Sequence, residues 1–443
     1  MKRKRLTTTH IILLSFLAAI AIGSGLLALP MASATGEAVP YIDALFTATT
    51  ATCVTGLVTV TTATTWSIFG QAVILVLIQI GGLGIITVMS GIMILMHRRM
   101  GLNDRLLLQD AFNLNSLSGL IRFVKKVIGG TFAVEGVGAL LYMTVFVPQF
   151  GARGIWISVF NAVSAFCNAG MDIIGTDSLC AYATHPLING VTMALVILGG
   201  IGYIVWWDVL HVWRGKKRHL TLHSKIALTS TLVLIVGGAA AILAFEYGNP
   251  ATIGHMNIGE KIQAALFQSV TTRTAGFMTV PQQDLTNGAS LVSMLLMMIG
   301  GSPVGTAGGI KTVTMTLLAA TAIATLHNRE EVVLFNRNVS GATIRKALAV
   351  TGVFSLIVVL SAAALTATTQ APMLDILYET VSAAATVGLS RDLTVALNTW
   401  GKMIVIATMY LGRVGPISLA IAFTLRRRNS NIIKNPTEEI HVG

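Results

Sequence analysis

The sequence predicts an all-α integral membrane protein: four parallel membrane–pore–membrane repeats, with eight transmembrane helices, around a central pore of pseudo-four-fold symmetry. Three observations predict it. The 443 residues are 54% hydrophobic and 11% charged, with mean hydropathy +0.76, whereas a soluble domain carries about 25% charged residues. A single glycine among small and polar neighbours recurs at Gly56, Gly170, Gly276 and Gly388, at intervals of 106 to 114 residues. After each comes a second glycine cluster (80–84, 198–202, 299–305 and 411–415), whose first glycine lies 24 to 29 residues further on. That separation suits one membrane crossing, and a fixed-order repeat of this size dictates the architecture.

Each repeat opens with an apolar segment long enough to span: 11–32, 127–147, 226–245 and 347–366. The first is preceded by Lys2–Arg5 and resembles a signal peptide. Its apolar run exceeds an h-region of about 7–15 residues, so it is read as a retained helix. A segment too short to cross comes next: 41–51, 155–166, 258–271 and 373–384. The glycine loop follows, and then a second spanning segment at 71–96, 187–207, 291–326 and 403–425. The resulting organisation is a cytoplasmic N-terminus 1–10, repeats 11–99, 100–215, 216–335 and 336–428, and a cytoplasmic C-terminal tail 429–443. Every repeat crosses an even number of times, so all four share one orientation and can close around an axis along the membrane normal. Re-entrant backbone at membrane depth must line water or be buried in protein, which places the four loops at a pore.

Charge fixes the orientation. Of 30 Lys and Arg residues, 23 fall on one side, which marks it as the cytoplasm and puts both termini there. That placement, and not nucleic-acid binding, accounts for the net charge of +12. The opposite side carries ten acids (Glu37, Asp43, Asp172, Asp177, Glu246, Glu260, Asp284, Asp375, Glu379, Asp392) against five bases. This excess either concentrates cations at the pore mouth or is ordinary solvated loop charge. The three cysteines give no disulfide framework or zinc pattern, and the nine histidines are scattered. Cys53 and Cys167 read as small residues in tight loops rather than a redox pair.

To pass a dehydrated cation, a pore replaces its water shell with oxygens, and inward backbone carbonyls can supply them. Successive inward carbonyls demand φ/ψ values that glycine permits. One glycine per loop therefore fits a four-fold carbonyl ring, although a lone glycine would read as helix packing. The candidate filter comprises Thr52, Cys53, Val54, Thr55 and Gly56; Cys167, Asn168, Ala169 and Gly170; Thr272, Arg273, Thr274, Ala275 and Gly276; and Ala385, Thr386, Val387 and Gly388, with K+ at these residues. A T-V-G-Y-G potassium filter has two glycines per loop. One glycine, with neighbours that differ between loops, implies fewer well-formed sites and weaker K+/Na+ discrimination.

The third repeat is the odd one. Its second segment breaks at 300–312, where five glycines and Pro303 exclude a straight helix. Such a stretch at mid-membrane must line the cavity. It is the candidate gate: Gly300, Gly301, Pro303, Gly305, Thr306, Gly308 and Gly309, with Lys311 and Arg413. The string resembles a phosphate-binding loop, but that motif needs glycine where Ile310 stands and a preceding strand, so no nucleotide is assigned to this chain. Arg413 lies inside an apolar segment at the level of the loop, is costly there, and is a functional candidate by default, with the loop carbonyls as its partners. Lys311 can reach the cytoplasmic cavity by its flexible stem. Glu135 and Asp208, the other acids within apolar segments, read as structurally paired rather than ion-coordinating.

Four membrane–pore–membrane units, one filter glycine each, a broken third-unit helix and a fourth-unit arginine together resemble the Trk/Ktr/HKT potassium-uptake superfamily over nearly the whole chain. Glycine in all four loops, and a chain that opens directly on its first repeat, resemble the KtrB-type pore subunits most. The resemblance implies a K+-channel-like architecture in the bacterial plasma membrane. It also implies a homodimer with one pore per protomer, and a cytosolic KtrA-like (RCK) octameric ring carrying ATP or ADP as the regulatory partner. Na+ stimulation is a further family trait. Two mechanisms stay open, channel-like K+ uptake and Na+- or H+-coupled secondary transport, and parallel repeats favour the first. A third class, an intramembrane enzyme, lacks any Ser/His/Asp or metal cluster.

Overall fold

The computed structural model describes residues 8–96, 119–329 and 331–415. Parts of the expected cytoplasmic N-terminus, the basic run after residue 97, the last expected segment beyond 415 and the C-terminal tail lie outside these residues. The described chain is helical apart from one two-residue hairpin, Val333–Leu334 with Arg337–Asn338.

Among the described residues four single helices are long and apolar enough to cross a membrane: Thr8–Leu27, Leu120–Phe150, Leu222–Glu246 and Gly341–Thr366. Their best windows have mean hydropathies of 1.6 to 2.4, yet only 22 to 33% of each window is buried. The remainder points outward as bare apolar side chains, Leu140, Leu232 and Leu360 among them, each at least 60% exposed. Such a surface is stable against lipid and not against water. The chain is a helical membrane protein.

A short helix follows each long one: Tyr41–Cys53, Ala152–Cys167, Ile258–Thr271 and Met373–Ala385, of 13 to 16 residues. At 1.5 Å per residue each extends roughly 20–24 Å, short of a hydrocarbon core of about 30 Å. All four are buried over their C-terminal halves. Three stop because the next residue turns left-handed: Val54 (φ +56°), Asn168 (+61°) and Thr386 (+52°). The third short helix runs on to the same turn at Thr274 (φ +68°).

The segments after the glycine loops depart from expectation. Segments 71–96 and 187–207, expected as continuous, are each sharply bent. Ile68–Leu83 and the helix that follows it meet at 99°, and Pro186–Gly200 meets Tyr203–Trp213 at 98°. The breaks fall at Gly84 (φ +83°) and Gly202 (φ +92°), a backbone region that glycine enters at little cost. The third segment separates into Asn287–Met298 and Thr312–Leu326 around the loop. The fourth, Thr399–Val414, ends at Gly415 with φ +89°. Among the described residues every group thus breaks or ends its helix at the second glycine cluster, and the third has a longer interruption than the first two.

Neighbouring groups are joined in cyclic order. Trp156 Nε1 donates to Gln71 Oε1 at 2.9 Å, linking the first and second groups. Leu179 N donates to Met278 O at 2.9 Å, linking the second and third. Arg391 bridges the fourth to the third, donating to the Gln282 carbonyl (2.8 Å), the Gln283 carbonyl (3.0 Å) and Ser290 Oγ (2.8 Å) while pairing with Asp375 at 2.7 Å. Lys402 pairs with Asp43 at 2.6 Å, returning the fourth group to the first.

Candidate functional site

The four repeat glycines meet at one point. A Cβ added to Gly56 would lie 2.6 Å from the Ala169 carbonyl and 3.2 Å from the Cα atoms of both Gly170 and Gly388. One on Gly170 would lie 2.7 Å from the Ala275 carbonyl and from Gly276 Cα, and one on Gly276 would lie 2.5 Å from the Val387 carbonyl. One on Gly388 would strike the Thr55 carbonyl. The order is cyclic, 56–170–276–388, and leaves no room for any side chain.

Their backbone explains how carbonyls gather there. Each glycine has positive φ (+62° to +102°), as does the residue two before it, and the residue between them does not. This alternation turns successive carbonyls to one side, where an ordinary strand would alternate them. The amides turn the opposite way and are received by the short helices. Gly56 N donates to Thr50 Oγ1 (3.0 Å), Met171 N to Ser164 Oγ (3.1 Å) and Gly388 N to Ser382 Oγ (3.1 Å). Each of these hydroxyls stands six residues before its glycine; Val270 holds that place in the third loop. There Thr271 donates to the Phe277 carbonyl at 2.7 Å instead. Sequence reasoning missed these hydroxyl supports, and aligning the four repeats on their glycines would have found them. The short helices also point their C-terminal ends, the negative ends of their dipoles, at the ring.

The outer candidates divide differently. Thr52, Cys53 and Cys167 belong to the last turns of short helices, and Thr272 and Arg273 follow the third. Their side chains engage neighbours away from the ring: Thr52 Oγ1 donates to Ala48 O (2.7 Å), Thr272 Oγ1 to Ser269 O (3.0 Å), and Arg273 Nη2 to Thr231 Oγ1 (3.4 Å). Cys167 donates to Glu135 Oε1 at 3.8 Å, and Gln79 Nε2 donates to the same oxygen at 3.2 Å. Glu135 is therefore placed behind the second glycine loop and not in the ring. Asp208 accepts from Lys217 Nζ (2.9 Å) and from the Thr221 amide and hydroxyl (both 2.8 Å). Cys53 and Cys167 are free and buried.

Below the ring lies the 300–312 loop, tied to all four groups. Gly300 N donates to Ile310 O (2.9 Å) and Thr312 N to Gly301 O (3.1 Å), closing the loop at its base. Ser302 N and Thr306 N donate to Gly200 O (2.8 Å) and Gly199 O (3.1 Å), and Tyr203 N donates back to Val304 O (3.0 Å). Thr306 Oγ1 reaches Phe166 O in the second short helix at 3.1 Å. Gly308 N donates to Thr274 Oγ1 at 3.2 Å. Arg413 donates to Thr306 O at 2.6 Å and also to Gly81 O, drawing in the first group. Lys311 folds onto the loop's own Ala307 carbonyl at 2.5 Å. The loop is a bonded bridge across the space beneath the ring.

Four of the acids expected on the outer side are engaged by neighbours. Asp43 and Asp375 are paired, and Glu246 and Glu379 are buried as hydrogen-bond acceptors, the latter from Ser390 Oγ (2.7 Å) and Thr394 Oγ1. Burial, together with nearby Asp177 and Asp172, pushes the Cys180 thiol up to about 12, so it stays protonated at neutral pH. Among the described residues no His, Cys, Asp and Glu cluster could hold a metal ion.

Comparison with known proteins agrees with this arrangement. The family model described as TrkH, cation transport protein, matches residues 6–433. The chain is 41% identical to Ktr system potassium uptake protein B of Bacillus subtilis, over 99% of this chain and 97% of that protein. It is 38% identical to potassium/sodium uptake protein NtpJ of Enterococcus hirae, over 100% and 98%. The crystal structure of the potassium transporter TrkH from Vibrio parahaemolyticus superposes with a TM-score of 0.74 at 16% identity, covering 96% of this chain and 86% of that one, a likeness of fold.

Proposed function

The chain belongs to the TrkH family of cation transport proteins, which are not enzymes, and we propose that it is the ion-conducting subunit of a bacterial K+ uptake system. Four membrane–pore–membrane repeats, crossing eight times with both termini in the cytoplasm, enclose one path per chain. The observation that carries this reading is the closed ring of Gly56, Gly170, Gly276 and Gly388 with its gathered carbonyls. Those oxygens replace the water shell of K+, and the dipoles of four short helices favour a cation there. The 300–312 loop obstructs the inner exit, Arg413 holds it in place, and its displacement opens the path.

The printed name of the Bacillus relative, protein B of a Ktr system, supports a subunit that works with others. The expected assembly is a homodimer seated on a cytosolic nucleotide-binding ring, with ATP or ADP bound by the ring. The potassium/sodium designation of the Enterococcus relative favours Na+ as a second cation acting on the same path.

The test is rubidium uptake into proteoliposomes containing the purified chain. Channel-like passage gives uptake that follows an imposed inside-negative potential without any Na+ or pH gradient. Uptake that needs one of those gradients would establish coupled transport instead.

A further inference from the structure

The loop comes nearest the glycine ring at Gly308. Its amide donates to Thr274 Oγ1 at 3.2 Å. On its other side a Cβ would lie 2.6 Å from the Ala385 carbonyl and would strike Thr386 Oγ1. Thr274 and Thr386 occupy the same register, two residues before their glycines, in adjacent glycine loops. Both are fully buried and both hold positive φ, which is rare for a β-branched residue. Thr386 Oγ1 has no hydrogen-bond partner among the described residues. Thus Gly308 engages one hydroxyl at the inner end of the ring through its amide and covers a second with its Cα.

We infer that Thr274 is a latch: a positioning residue whose bond to Gly308 joins the state of the loop to the state of the filter. This rests on the filter-and-gate reading above. With the loop seated, the Thr274 hydroxyl accepts from Gly308 and the Thr386 hydroxyl faces the loop backbone. A buried N–H without an acceptor is costly, so the Gly308 amide holds the loop against Thr274. When the loop withdraws, both hydroxyls are released toward the cation path together. Opening the gate and completing the inner end of the filter are then one event. Gly308 is required because only a residue without a Cβ can approach the third and fourth glycine loops at once.

The experiment is a double-mutant cycle in proteoliposomes, read as rubidium uptake. Its members are the wild type, Thr274→Val, deletion of 303–309, and the two combined, with Thr274→Ser as the conservative variant. Thr274→Val removes the acceptor at nearly constant shape and raises uptake about fivefold, the equilibrium effect of one hydrogen bond. Thr274→Ser keeps the acceptor, so it raises uptake less than Thr274→Val does. In the deletion background, already fast, Thr274→Val adds nothing. Gly308→Ala reports from the other side without changing a filter residue: its methyl cannot fit against Ala385 and Thr386 while the loop is seated, so the loop is displaced and uptake rises. The same change from Thr274→Val in both backgrounds, or no change in the intact chain, overturns the latch and leaves Thr274 a filter residue only. A folded deletion that fails to raise uptake removes the gate itself, and the latch with it, whatever Thr274→Val does.

Discussion

Strain is concentrated at a few residues. Val54, Asn168, Thr274 and Thr386 all stand at positive φ, at a cost of about 1–3 kcal/mol each. They persist because the surroundings fix them: amides on one side are caught by Thr50, Ser164 and Ser382, and glycines on the other close the ring. No alternative rotamer can accommodate a side chain at the four glycines, since the obstacles are backbone carbonyls and Cα atoms of the next loop. Alanine at any of them is expected to open the ring and weaken preference for K+ over Na+ by at least about tenfold, or ~1.4 kcal/mol. Unequal effects are expected, because the supporting hydroxyl is absent from the third loop. Competition of K+ and Na+ against rubidium uptake measures it; four variants with unchanged K+ competition would remove the glycine ring from the ion path.

At the level of elements, the loop and Arg413 form one unit. An arginine at membrane depth costs roughly 2.5–3.5 kcal/mol to insert. Its bonds to Thr306 O and Gly81 O, of a kind worth about 1.5–3 kcal/mol each, offset that cost and pin the loop to the first group. Arg413→Ala is therefore expected to raise maximal rubidium uptake several-fold with little change in apparent K+ affinity, if the proposed filter at the ring sets that affinity. Arg413→Lys is expected to fall between, because it keeps the charge but loses the planar fork that spans two carbonyls. Reduced uptake by a well-expressed Arg413→Ala protein would mean that the arginine supports the fold. The partnership with a loop carbonyl was legible in the sequence, because a buried guanidinium beside glycine-rich backbone has few other acceptors. Its second partner, Gly81, was not, because nothing local shows which distant helix end faces it. The order of long, short and glycine-interrupted segments was equally legible from apolar run lengths. The bends at Gly84 and Gly202 were missed because the apolar pattern continues across them, and hydropathy does not register φ. The same glycines that marked the repeats were the hinge signal.

For the molecule as a whole, a ring built from a single chain has one junction that connects distant ends of the sequence. Three junctions join consecutive groups, and the fourth must join the last to the first. Here it consists of the apolar contact of Ile20, Phe46 and Leu57 with Leu365, Leu393 and Met409, the Tyr410 hydroxyl donating to Leu13 O at 3.0 Å, and the Lys402–Asp43 pair. That pair is largely withdrawn from water, with side-chain exposures of 16% and 10%. Removing one partner from a buried pair leaves an uncompensated charge, at a cost on the order of 3 kcal/mol. Closure over such a long sequence separation also carries the largest chain-entropy cost of the four junctions. Asp43→Ala is thus expected to lower the apparent unfolding temperature in detergent by several degrees. It should also loosen K+/Na+ discrimination, because Asp43 starts the short helix that carries Val54 and Gly56. The exchange Asp43→Lys with Lys402→Asp should recover most of both. An Asp43→Ala protein with wild-type melting and wild-type discrimination would show that the apolar contact alone closes the ring. Loss of stability with unchanged discrimination would separate the closure of the molecule from the geometry of its filter.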